Sequence, residues 1–187
     1  SPTMPAIALD LGENLGYCVF DGMRLLKGDL LKLPQATKKL SRPRRRYLAI
    51  KSMLAAQKAE YGITVCYYEF TDWFLSAKKG ESFRARLIRE KRNRVVQRAL
   101  GTLEATIEAA CAELDIEAVP ITVHEAKKAV TGNGNATKEM IANAILGLYP
   151  QLKEAKQDTL DAASVMFCAV QRHDPILALR LASKGIT

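Results

Sequence analysis

The chain is poor in the residues from which most zinc and redox centres are built. Across 187 residues it offers two histidines, His124 and His173, and four cysteines, Cys18, Cys66, Cys111 and Cys168. No two cysteines stand at C-x2-C spacing, which argues against a zinc site. Each lies in an apolar stretch, so the pattern predicts small buried thiols in a reducing compartment. Long apolar runs are missing as well. None approaches the roughly 18–20 residues that cross a bilayer, so an integral membrane protein is not expected. No basic flank followed by an apolar core opens the chain, so no secretory signal is expected either. Ser1-Pro2-Thr3 ahead of Met4 looks like a vector remnant. With no internal repeat, low-complexity tract or long linker, residues 4–187 are read as a single domain.

Hydrophobic residues make up 48% and charged residues 26%, which is globular composition. The 28 Lys and Arg exceed the 20 Asp and Glu, for a net charge of +8. That surplus is concentrated. Lys38, Lys39, Arg42, Arg44, Arg45, Arg46 and Lys51 form a first strip without an acid among them. Lys78, Lys79, Arg84, Arg86, Arg89, Lys91, Arg92, Arg94 and Arg98 form a second, interrupted by Glu81 and Glu90. Each strip carries +7, so the remaining residues sum to −6 against the total of +8. Two solvated helix faces are the plainer alternative. The functional one is a pair of phosphate-binding strips around an acidic centre. A membrane surface suits them poorly, because neither strip has a companion face rich in Trp or Phe.

The pattern along the chain predicts α/β structure. Residues 5–11, 17–20 and 24–32 read as three strands in an antiparallel meander, with Gly12 and Gly16 bracketing one turn and Asp21-Gly22 forming the other. After Pro43, the apolar positions Tyr47, Ile50, Leu54 and Tyr61 recur at helical spacing up to Gly62. Ile63 to Phe70 is β-branched and aromatic, a buried strand. Residues 71–82 read as a loop carrying Trp73 and Phe74. A long helix is expected from about 83 to 114, with Leu100, Leu103, Ile107, Cys111 and Leu114 as its stripe. Glu117 to Val123 is a fifth strand, and Pro120 favours an edge position for it. Helices are expected at about 123–130, 136–148 and 157–172, the first two separated by Gly132-Asn133-Gly134. The order predicts a five-stranded mixed sheet, three strands antiparallel and two parallel, flanked by helices on both faces.

Carboxylates at strand ends ask for an explanation. Asp10 follows Ile7-Ala8-Leu9, and a charge there is costly to bury unless it is paired or holds a metal. Glu69 repeats the pattern after Val65-Cys66-Tyr67-Tyr68. If these two strands are parallel neighbours, both acids leave the sheet at one edge. Asp158 and Asp161 share a helix face and can meet that edge. Four converging carboxylates repel one another, and divalent cations are the ordinary remedy. Hard oxygen donors without His or Cys favour Mg²⁺ or Mn²⁺. Taken singly, each acid has an ordinary alternative: Asp10 capping the turn at Gly12, Glu69 pairing with an arginine, Asp158 favouring the helix N-terminus.

Taken together, these residues carry a resemblance. Asp10-Leu11-Gly12 followed by Gly16-Tyr17 is similar to the first motif of the RuvC family of Holliday junction resolvases, within the RNase H-like nucleases. Tyr68-Glu69 resembles the family's second acidic strand. Lys127-x4-Gly132-Asn133-Gly134-x3-Lys138 resembles the stretch before its last helices. Asp158-Thr159-Leu160-Asp161-Ala162-Ala163 resembles its closing D-x-x-D-A motif. The likeness runs from about residue 6 to 172, in the family's order. Two features depart from the bacterial pattern. Lys156-Gln157 stand where those members place a His before the third acid, and the segment 71–98 is longer and more basic. Both lean toward a phage or viral branch.

The resemblance implies an RNase H-like fold and a metal-dependent endonuclease for four-way and other branched DNA, leaving 5′-phosphate ends, in recombination, repair or phage DNA processing. It implies two Mg²⁺ ions, with Mn²⁺ as a substitute, held by Asp10, Glu69, Asp158 and Asp161 about 3.5–4 Å apart. Lys138, and Lys127 beside it, would offset charge at the scissile phosphate. Arg44, Arg45, Arg46, Lys78, Lys79, Arg84, Arg86, Arg89, Lys91 and Arg92 would hold DNA arms through phosphates, with Trp73 and Phe74 placed to stack on an opened crossover. A core role for Trp73 is the alternative. Symmetric cutting of opposed strands calls for a C₂ homodimer, with the 100–114 helix as a candidate interface. The expected setting is the cytoplasm, that of a bacterial host if the chain is phage-encoded. A less selective flap or fork nuclease of the same fold, and a non-catalytic branched-DNA-binding module, are the competing readings.

Overall fold

A computed structural model describes residues 4–39, 41–70 and 80–173. Five strands form one sheet: β1 (Ala6–Asp10), β2 (Asn14–Asp21), β3 (Arg24–Lys32), β4 (Val65–Phe70) and β5 (Glu117–Thr122). Their order is β3-β2-β1-β4-β5. The first three are antiparallel, whereas β4 and β5 run parallel to β1. The mixed sheet expected from the sequence is therefore present, and β5 with its Pro120 lies at an edge. One expectation changes: Gly16 does not bracket a turn but sits inside β2, opposite Asp10.

Alternation along the strands sends side chains to two separate cores. Ile7, Leu9, Tyr17, Val19, Cys66 and Tyr68 face α1 (Arg42–Tyr61) and α2 (Phe83–Glu113). Ala6, Ala8, Cys18, Phe20 and Tyr67 face the other way, toward α3 (Val123–Thr131), α4 (Lys138–Leu148) and α5 (Gln157–His173). All four cysteines are buried and free, in keeping with their apolar flanks. α1 is held by Ile50 and Leu54 and ends at Gly62, also as expected. A 3₁₀ turn at Pro150–Leu152, not foreseen, joins α4 to α5.

α5 carries two of the four acids, and its seat on the sheet decides where they lie. Its face of Ala162, Ala163, Val165, Met166 and Ala169 is fully buried, and the small alanines let it lie close across β1 and β2. Its first turn touches the sheet backbone. A Cβ on Gly16 would lie 1.9 Å from the Asp158 carbonyl oxygen and 2.6 Å from the Thr159 nitrogen. The Thr159 hydroxyl donates to the Asp29 carbonyl at 3.0 Å, and the Cys18 thiol donates to the Thr159 carbonyl at 3.6 Å.

Backbone atoms on a packed helix cannot move aside as a flexible side chain can. Gly16→Ala is accordingly expected to cost about 2–3 kcal/mol. Gly101→Ala, on the exposed surface of α2 with open space around it, is expected to gain about 0.5–1 kcal/mol. Urea unfolding of both variants checks this, and equal midpoints for the two would overturn the close approach.

Candidate active site and nucleic-acid interface

Asp10 closes β1, and Glu69 stands at the equivalent position of β4. The parallel register pairs Leu9 with Tyr68, so the two acids come next at one level and leave the sheet at the same edge. Leu9 and Tyr68 belong to the α1–α2 core, so alternation turns Asp10 and Glu69 toward α5. There they meet Asp158 and Asp161. A carboxylate oxygen from each of Asp10, Asp158 and Asp161 lies within 4.8 Å of the others. Glu69 stands beside the group, near enough for its charge to act on Asp10 and for that of Asp161 to act on it. Gln157 Nε2, at the place where the resemblance leads one to expect a histidine, donates to Asp161 Oδ1 at 2.9 Å.

Burial and crowding oppose ionisation of Asp10, Glu69 and Asp161. Asp10 is only 7% exposed. Its desolvation, then the charges of Glu69, Asp161 and Asp158, push its carboxyl far above the ordinary range, with Lys138 opposing. Desolvation and Asp161 raise Glu69 likewise, against Lys127 and Lys138. Desolvation also raises Asp161, moderated by the Gln157 hydrogen bond and by Lys138 and Lys127. Both lysines of the Lys127-to-Lys138 motif thus act on the cluster, although they stand on different helices. Two monovalent cations at its margin leave the carboxylates under-compensated. An all-oxygen donor set, partly buried and short of positive charge, fits a divalent cation.

The loop between α3 and α4 sets the spacing of those lysines. The Thr131 hydroxyl donates to the Lys127 carbonyl at 2.8 Å, the Asn135 N–H donates to Asn133 Oδ1 at 2.9 Å, and Thr137 caps α4 by accepting from the Met140 N–H at 3.2 Å. Gly134 lies directly under the His124 imidazole: a Cβ there would stand 2.0–2.4 Å from three ring atoms. The sequence shows a turn at Gly132-Asn133-Gly134 but not the ring that packs on it.

The basic residues sort into different environments. Arg44, Arg84, Lys91 and Arg92 are exposed. Arg86 and Arg89 each stand in an ion pair with a neighbouring acid. Arg86 Nε meets Glu90 at 2.9 Å, and Arg89 Nε and Nη2 donate to both Glu81 oxygens at 2.7 and 2.8 Å. Arg45 donates to the Gln35 carbonyl, and Arg46 is half-buried. Trp73, Phe74, Lys78 and Lys79 lie outside the described residues.

Strand order, helices on both faces and acids at the β1/β4 edge define the RNase H-like class of fold. No protein-family model matches the chain. It is 34% identical over 143 residues to the crossover junction endodeoxyribonuclease RuvC of Nocardia farcinica, an alignment covering 74% of this chain and 67% of that protein. Among solved structures it is similar to Thermus thermophilus RuvC, with a TM-score of 0.59 at 20% identity over 91% of this chain and 96% of that one. T. thermophilus RuvC in complex with Holliday junction substrate gives 0.61 at 19% identity, over 90% and 96% of the two chains. The yeast mitochondrial Holliday junction resolvase Ydc2 gives 0.54 at 12% identity, over 96% and 85%. The chain belongs to the RuvC family.

The geometry generates two expectations. Acids whose folded-state pKa values are raised bind more protons than the unfolded chain does, so their contribution to stability is full below about pH 4 and declines as pH rises. Without divalent cations, melting temperature is expected to fall from about pH 4 through neutrality. The stabilisation given by Mg²⁺ should grow over the same range, and Asp10→Asn should flatten both trends. Melting curves at several pH values, with Mg²⁺ or a chelator, test this; a Mg²⁺ increment independent of pH would count against it. Second, Gly134→Ala is expected to cost about 1–3 kcal/mol. Adding His124→Ala should recover most of that loss, because the ring is what the methyl strikes. Independent, additive costs in a double-mutant cycle would show that the ring is not the obstacle.

Proposed function

We propose that this chain is a divalent-metal-dependent endonuclease that cleaves four-way DNA junctions, built as one nuclease domain over residues 4–187 and working in the cytoplasm as a homodimer. The observation that carries the reading is the convergence of Asp10, Glu69, Asp158 and Asp161 at one sheet edge, with Lys127 and Lys138 acting on them. The name of the N. farcinica relative supports the substrate class.

The four carboxylates would hold two Mg²⁺ ions, or Mn²⁺ in their place. When bound, such ions generate a nucleophilic water at neutral pH and stabilise charge on the leaving oxygen. The protein's own residues prepare that chemistry. Asp10 and Glu69 ride on adjacent parallel strands, which fixes their separation more tightly than a loop would. Gln157 orients Asp161 through its hydrogen bond. Lys138, at the exposed start of α4, can offset charge on a phosphate brought to the cluster, and Lys127 does the same from α3. Exposed Arg44, Arg84, Lys91 and Arg92 are free to take phosphates along the arms, a sequence-independent grip that weakens steeply with salt.

Labelled four-way junction, Y-fork and linear duplex, each with Mg²⁺, test the reading. The junction is expected to be cut in preference to duplex. Asp10→Asn should abolish cutting by at least about 10³-fold while junction binding persists, and Lys138→Ala should slow it by about 10²–10³-fold. Equal cutting of forks and junctions would favour the flap or fork nuclease. Binding without metal-dependent cutting of any substrate would favour the non-catalytic module.

A further inference from the structure

α1 runs from the acidic edge of the sheet down to Gly62, where the chain turns into β4. Its first turn therefore stands at the same edge as Asp10, on the face opposite α5. It begins with Arg42, Pro43, Arg44, Arg45 and Arg46; Ser41 makes no side-chain cap, and no acid occupies the turn. Between this turn and α2 is a cavity of about 200 Å³, lined by Arg42, Pro43, Arg46, Thr102 and Thr106 together with Ala99 and Leu103.

Arg46 is the unusual member. Its Nε and Nη2 atoms are buried and have no hydrogen-bond partner. Buried donors are nearly always paired in native proteins, so two orphans on one guanidinium call for a ligand. Desolvation and the neighbouring Arg42 both disfavour its charge, and Glu13, three residues beyond Asp10, only partly offsets them. Among the described residues no carboxylate forms an ion pair with Arg42 or Arg46. The Thr102 and Thr106 hydroxyls are directed to the Arg98 and Thr102 carbonyls at 2.8 and 2.7 Å, and neither oxygen accepts from the buried guanidinium atoms. Two donors on one planar fork suit an anion with at least two acceptor oxygens.

We propose that the cavity between α1 and α2 is a phosphate site in which Arg46, with Arg42, holds one phosphodiester of the DNA backbone beside the carboxylate cluster. It rests on the nuclease reading for the identity of that phosphate, but not for the existence of the site. One bound phosphate on the far face of the sheet edge would fix the duplex arm relative to Asp10, as exposed flexible lysines cannot.

The test uses the full chain and the variants Arg46→Met and Arg46→Lys. Melting temperatures are compared in inorganic phosphate and in chloride at equal ionic strength. Wild type is expected to rise in phosphate, Arg46→Met to show no response, and Arg46→Lys to keep part of it. In chloride alone, Arg46→Met should melt no lower than wild type, because it removes orphaned donors. Junction binding is then measured against salt concentration in Ca²⁺, without cutting. Arg46→Met is expected to bind about tenfold more weakly, with a salt slope lower by about one. An undiminished phosphate response in Arg46→Met overturns the site. A response lost in Arg46→Met but an unchanged salt slope overturns the backbone phosphate and leaves a site for free phosphate. Because the phosphate arm requires no cutting, failure of the nuclease reading would be seen separately, in the cleavage assay alone. If Arg46→Met does not fold, an Arg46→Lys protein that responds to phosphate as fully as wild type and keeps its salt slope overturns the fork geometry.

Discussion

The rest of the molecule depends on the approach of the first turn of α5 to β2. At Gly16 the helix backbone comes so close that no side chain fits between, and this closeness is what carries Asp158 and Asp161 to Asp10. Gly16 is paired with Asp10 across the β1–β2 ladder, so one residue sets the helix's height above the sheet at the level of the first acid. The contact is fastened on both sides, by Thr159 to the Asp29 carbonyl and by the Cys18 thiol to the Thr159 carbonyl. Further along, the alanines at 162, 163 and 169 keep the helix close where bulkier residues would lift it.

That closeness has an electrostatic cost. Each acid is individually tolerable, but three carboxylate oxygens within 4.8 Å of one another, with Asp10 buried, repel one another and disfavour the charged form of Asp10. Lys127 and Lys138 reduce the burden without removing it, since they sit at the rim on helices whose connection is itself constrained by His124 over Gly134. The same unfavourable field is what gives a cation its affinity. A site comfortable without metal would bind metal weakly, so strain in the free state and function in the loaded state have one origin.

Much of this arrangement is legible in the amino-acid sequence. Asp10 and Glu69 end apolar strands; each alone has an ordinary alternative, but the parallel pairing of β1 and β4 puts them side by side. Asp158 and Asp161 are three apart on a helix, which fixes their common face. Contact between segments remote in sequence leaves no such trace. Gly16 and Asp158 are separated by most of the chain, so the glycine reads as a turn residue when it is a strand residue cleared for a helix. His124 over Gly134 and Thr159 on Asp29 are likewise tertiary facts with no periodic signature. The Arg86–Glu90 pair is a different case, because its i,i+4 spacing is visible in the sequence. The net charge of the second strip already subtracts Glu90, but a count does not say which arginine that acid holds.

The charge distribution also constrains how α2 is built. Its C-terminal part packs normally through Leu103, Ile107, Ala110 and Cys111. Its N-terminal part does not, since Phe83, Ile88 and Val95 are 77%, 55% and 70% exposed. Local contacts support this exposed stretch: Ser82 caps it by accepting from the Ala85 N–H, and the Glu81–Arg89 and Arg86–Glu90 pairs brace its first turns. Two arginines are thus committed to keeping the arm helical, while Arg84, Lys91 and Arg92 remain exposed along it. The two basic strips therefore differ in kind. The strip on α1 includes a guanidinium with buried, unpartnered nitrogens, whereas the described part of the strip on α2 is largely exposed and braced by its own ion pairs. A backbone held firmly at the first and contacted more loosely along the second would be anchored near the carboxylates while its outer arm stayed free to move, which is what a substrate with several arms requires.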